Sequence, residues 1–120
     1  MLNQILQFIG NDLKDDYRKV SLINGYSYGE VRLYKIGKLA ILNIYSARKN
    51  STITSWETLA KVPAEYFPTE TVSNNAYYIP SDGAYHSCEI RVLTTGEVGV
   101  TGARAVPSYG INGTIFYKTK

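Results

Sequence analysis

From Val20 onward, apolar residues recur at every second position, and turn residues interrupt them about every ten. A period of two puts successive side chains on opposite faces of a strand, so one face can be buried while the other stays wet. Val20 and Leu22 alternate with Ser21, and Asn24-Gly25 follows as a turn signal. Val31, Leu33 and Lys35 alternate with Arg32 and Tyr34, and Gly37 marks a corner. Trp56 to Val62 and Val72 to Ile79 read as further strands, the second closed by Pro80-Ser81-Asp82-Gly83. From Tyr85 to Leu93 the pattern is cleanest: His86, Cys88, Ile90 and Val92 share one face, opposed by Tyr85, Ser87, Glu89, Arg91 and Leu93. A Gly96 turn leads to Val98 and Val100, and Ile111 to Tyr117 closes the series. About eight short strands in one domain predict an all-β fold, an antiparallel sandwich or jelly roll. Residues 46–55 and 102–110 read as the long loops.

Two segments depart from simple alternation. Leu39 to Tyr45 is almost wholly apolar, which predicts a strand covered on both faces. In a chain of 120 residues the second cover is expected to be a neighbouring subunit. Ahead of Tyr17, Leu2, Leu6, Ile9 and Leu13 follow helical spacing, widened by Ile5 and Phe8. Gly10 and the acidic Asp12, Asp15 and Asp16 weaken that helix, so its stripe must rest on a partner. The expected organisation is a helical neck over residues 1–18 and a β head over 19–120, the stripe resting either on that head's own sheets or on further copies of itself.

Composition narrows the chemistry. Hydrophobic content of 44% and charged content of 19% belong to a folded domain. The formal charge of +3 is spread along the chain, without the clustering that nucleic-acid binding needs. One cysteine, Cys88, excludes an intramolecular disulfide and reads as a small buried residue. No stretch resembles a signal peptide or a membrane span, so folding in a cytoplasm and no membrane partner are expected. Eleven tyrosines suit either a recognition surface or ordinary strand propensity.

Pro63 and Pro68 bracket the sharpest local signal. Neither can donate to a ladder, so they fix where pairing stops and the chain turns over Ala64 and Glu65. The run Leu59-Ala60-Lys61-Val62-Pro63-Ala64-Glu65-Tyr66-Phe67-Pro68 resembles a segment of the small β-sandwich domains at the distal ends of bacteriophage tail and baseplate proteins. Asn24-Gly25-Tyr26, Tyr34-Lys35-Ile36-Gly37-Lys38 and Thr94-Thr95-Gly96-Glu97-Val98 match that layout, and the likeness extends over residues 20–118. The resemblance implies a virion tail-tip or baseplate location, a homotrimer with a helical neck, and contact with other tail or baseplate proteins.

Motifs for catalysis are weak. His86 and Cys88 could touch a metal, but one of each cannot close a zinc site, and no metal or other cofactor is expected. Glycoside hydrolysis needs two positioned acids; Glu57, Glu65, Glu70, Asp82, Glu89 and Glu97 all have ordinary surface explanations. Binding is the stronger expectation. The loops at 77–86 and 102–110 carry Tyr77, Asp82, Tyr85, His86, Arg104 and Tyr109, which combine rings for stacking on sugars with groups that fix hydroxyls. They predict a shallow, non-catalytic site for a host cell-surface glycan, one that neighbouring subunits could share. The alternatives are tyrosines that cover sheet edges in a structural tail component, a bacterial lectin-like module, or a small hydrolase. Trp56 is expected in the core.

Overall fold

The computed structural model describes residues 17–120 apart from Ala105. Its strands are β1 (Arg18–Val20), β2 (Glu30–Ile36), β3 (Leu39–Lys49), β4 (Glu57–Lys61), β5 (Val72–Tyr78), β6 (His86–Val92), β7 (Glu97–Thr101) and β8 (Val106–Lys118), with one 3-10 turn at Ala64–Tyr66. All pair antiparallel in a single sheet of order β1-β2-β3-β8-β5-β6-β7-β4. The two edges come together. The Ile23 amide donates to the Leu59 carbonyl at 2.9 Å, and the Asn24 side-chain amide to the Thr58 carbonyl at 2.8 Å. The sheet therefore curls until it is nearly closed, a barrel-like sandwich that answers the all-β expectation and shields the edges. Residues 1–16, where the helical neck was expected, lie outside the described residues, and β1 opens at Arg18.

The period-two pattern decides what fills the interior. Val31 and Leu33, Ala40, Leu42 and Ile44, Ile90 and Val92, and Val98 and Val100 are fully buried. Burying a side chain such as Leu42 contributes about 2 kcal/mol. The opposite face of β3 is different: Ile41 is buried, but Leu39 and Tyr45 are 40% and 49% exposed, and Phe116, opposite Ile41, is 64% exposed. The described residues thus leave the outer side of this two-faced strand largely open.

Three local expectations change. The strand β3 runs on to Lys49, and β8 begins at Val106, inside segments expected to be loops. Gly110 makes this possible: it adopts φ of +82°, and a Cβ there would lie 2.5 Å from the Ser46 carbonyl carbon. The two strands stay paired across a bulge that reads, in sequence, as a break. Trp56 is half-buried on the surface, with the Arg91 guanidinium 3.9 Å from its ring centroid, and stands outside the core cluster.

Because the strands alternate in direction, the connections sort to two ends. Segments 21–29, 50–56, 79–85 and 102–104 gather at one, here called the crown. Segments 37–38, 62–71 and 93–96, with Tyr17 and the last residues, form the base. At the base the Pro63–Pro68 corner is pinned from several sides. The Val62 amide donates to Gly96 at 2.9 Å, the Tyr117 hydroxyl to the Tyr66 carbonyl at 2.8 Å, and the Lys120 amide to Phe67 at 3.0 Å.

Candidate functional site

The crown places five of the six expected residues in two adjoining groups. The Pro80–Gly83 turn closes with the Gly83 amide donating to the Pro80 carbonyl at 3.0 Å, and Gly83 adopts φ of +76°. Asp82 then accepts the Ala84 amide on Oδ1 at 2.9 Å, a local bond of the kind aspartate makes in turns. That leaves Oδ2 free to face Arg104 Nη2 at 2.9 Å and His86 Nε2 at 3.1 Å. Arg104 Nη2 also lies 2.6 Å from His86 Nε2. His86 opens β6, directly opposite Tyr78 on β5, and the two rings stack at 5.4 Å with 25° between their planes.

Electrostatics agree with this geometry. The Asp82 carboxyl is held below its ordinary range, first by the Ala84 amide and then by His86 and Arg104. The Arg104 guanidinium is pushed further toward its charged form by the Tyr78 hydroxyl and by Asp82. The side chains of His86, Asp82 and Arg104 remain 32%, 44% and 53% exposed, so all three are open to a ligand.

One contact cannot be satisfied. A neutral imidazole Nε2 either donates to Asp82 or accepts from Arg104, never both. Within the bare triad one short approach is always mismatched. A hydroxyl both donates and accepts, so a polyol inserted among the three groups would relieve the conflict.

On the outer side of β5, Tyr77 meets Tyr85 with ring centroids 5.4 Å apart at 56°. They are 44% and 74% exposed, a ring surface beside the polar triad. Tyr109 stands on β8, 56% exposed, and among the described residues its ring pairs with neither the Tyr77 and Tyr85 rings nor that of His86. Tyr78 is the participant that the sequence reading missed. Its signal was the strand pairing itself, which sets it opposite His86. Among the described residues no three His, Cys, Asp or Glu side chains come together, and no helix is long and apolar enough to cross a membrane. Cys88 lies buried below His86, its thiol pushed up to about 11 by desolvation.

No protein-family model and no curated protein matches the sequence. Solved structures do. The head domain of lactococcal phage bIL170, a receptor-binding domain, aligns over 88% of this chain and 98% of its own, with a TM-score of 0.69 at 12% identity. The receptor-binding protein of Listeria phage PSA aligns over 99% of this chain and 73% of its own, with a TM-score of 0.54 at 15% identity. The fold is that of phage receptor-binding domains. The resemblance read from the Pro63–Pro68 corner therefore holds at the level of architecture, although so few residues are identical.

Proposed function

We propose that this chain is the receptor-binding head of a phage tail or baseplate protein, attaching the virion to a host cell-surface saccharide without cutting it. The observation that carries this reading is the Asp82–His86–Arg104 triad beside the exposed Tyr77–Tyr85 pair, at the end of the sheet opposite Tyr17. Sugars offer vicinal hydroxyls on one edge and an apolar ring face. The triad meets the first with charge-assisted hydrogen bonds, and the tyrosines meet the second. The fold shared with phage receptor-binding domains supports the setting.

The non-catalytic reading has its own support. A glycosidase acid must hold its proton near neutrality, which needs a raised pKa. Asp82 and Glu57 are both shifted the other way, Glu57 chiefly by its hydrogen bond from Lys49. Glu65 is at the base, paired with Arg18 at 2.6 Å.

We also read the assembly as a homotrimer. The open outer face of β3 and β8, with Leu39, Tyr45 and Phe116 exposed, offers apolar surface for a second copy or another tail protein. Three weak sites acting together would then supply useful avidity. A glycan array probed with wild type and Arg104→Gln tests the binding claim. Selective retention lost in the variant is expected; equal retention by both, or none by either, would contradict it.

A further inference from the structure

A second feature of the crown is not used by the triad. Gly25, Ser27, Tyr28, Arg48, Lys49 and Asn50 line an open cleft of about 260 Å³. Its two cations differ. Lys49 is neutralised by Glu57, which also accepts the Tyr26 hydroxyl at 2.9 Å. Arg48 pairs with no carboxylate among the described residues, and its Nε is buried without a hydrogen-bond partner. The guanidinium instead lies 4.5 Å from the centroid of the Tyr28 ring.

Tyr28 is held at some cost. Its φ is +70°, a region that bulky side chains avoid, and its side chain is 83% exposed. The backbone on both sides of it is held. Ser27 and Arg48 exchange amide–carbonyl bonds at 2.9 Å in both directions, and the Gly29 amide turns back to the Ser27 carbonyl at 2.9 Å. A Cβ on Gly29 would lie 2.0 Å from the Tyr45 carbonyl oxygen, so the chain passes through a gap only glycine fits. A strained, exposed ring fixed above an unpaired arginine is a constraint of the kind found at ligand clamps.

From this geometry we infer that the Tyr28–Arg48 cleft is a second binding site, specific for an oxyanion carried on a sugar or polyol. The planar guanidinium matches the two oxygens of a phosphate or carboxylate, and the Tyr28 ring covers the attached carbon skeleton. The site lies within reach of the first. His86, Tyr78, Ile111 and Ala47 form one row across β6, β5, β8 and β3, and Arg48 follows Ala47. Three strand spacings separate the ends of that row, about 14 Å. One anionic polymer could therefore occupy both sites, with Tyr109 on the intervening strand. The polymer claim rests on the saccharide reading above, but the oxyanion claim stands on Arg48 and Tyr28 alone.

Amide chemical-shift titration of the full chain tests it, with glycerol phosphate, glucuronate and neutral glucose as separate probes at pH 7.5. Either anion, and not glucose, should shift Ser27, Tyr28 and the 48–50 amides; which anion acts distinguishes a phosphate-bearing from a uronate-bearing polymer. Arg48→Gln should weaken that response roughly tenfold or more. Lys61→Gln removes an equal charge at the base and should leave it unchanged. Tyr28→Gly should weaken binding while leaving the melting temperature equal or raised, because glycine tolerates the positive φ. The proposal is overturned if neither anion shifts these amides, if glucose shifts them equally, or if the response survives Arg48→Gln. Glucose shifts confined to residues 77–86 and Arg104 would uphold the first site while leaving the second to be decided by the anions, so the two fail separately.

Discussion

At the base, Tyr66 and Tyr117 are buried and joined by a 2.8 Å hydrogen bond, and Phe67 packs against the Gly96 turn. At the crown, Tyr28, Tyr77, Tyr85 and Tyr109 are between 44% and 83% exposed, and the charged groups between them face one another rather than the interior. The same aromatic side chain thus anchors one end and is displayed at the other. Local chemistry explains the difference. Prolines and a tight glycine at the base close off backbone donors and force rings inward, whereas at the crown the Pro80–Gly83 turn is held by its own aspartate, Asp82. Aromatic content alone therefore does not mark a recognition surface; unsatisfied polar company does.

The largest effect is expected from Gly96→Ala at the base. A Cβ there would sit 2.3 Å from a Phe67 ring carbon, at φ of +89°. Stability should fall by about 2–3 kcal/mol, read as a denaturant midpoint, with saccharide affinity of the folded fraction unchanged. Arg104→Gln should do the reverse, weakening saccharide binding roughly tenfold or more while leaving the melting temperature nearly unchanged. Calorimetric titration and thermal melts together separate the two variants. Tyr117→Phe removes the hydroxyl that donates to the Tyr66 carbonyl and should cost about 1 kcal/mol without affecting binding.

A smaller effect concerns acid. Asp82 has its pKa lowered in the fold, so its contribution is complete above the ordinary value of 3.8 and is lost as pH falls through the depressed one. The affinity ratio of wild type to Asp82→Asn should decline as pH falls below about 4, where the carboxylate takes up its proton. A ratio that stays level through that range would mean that the carboxylate is not the group sensed. Tyr85→Ala, removing one partly displaced ring, should weaken binding only a few-fold.

Much of this was legible before any coordinates. Alternation through His86, Cys88, Ile90 and Val92 marks both the strand and its buried side, because one period fits only one pleat. The Pro80–Gly83 turn marks where Asp82 would be presented. What stayed hidden depends on contacts between distant segments. Arg104 is 22 residues from Asp82, and only the return of β8 alongside β5 sets the two against each other. Tyr78 looked like its neighbour Tyr77, but strand pairing puts one under His86 and the other outside. The Gly110 bulge was read as a loop because a break and a bulge use the same residues.

The most direct test maps where cell-wall polysaccharide touches the folded chain, by amide chemical-shift perturbation in the presence of purified fragments. Perturbed residues should cluster at the crown, around 77–86 and Arg104, with the 62–71 and 93–96 turns silent. Perturbation centred on those base turns or on the Phe116 face, or no perturbation by any fragment, would contradict it.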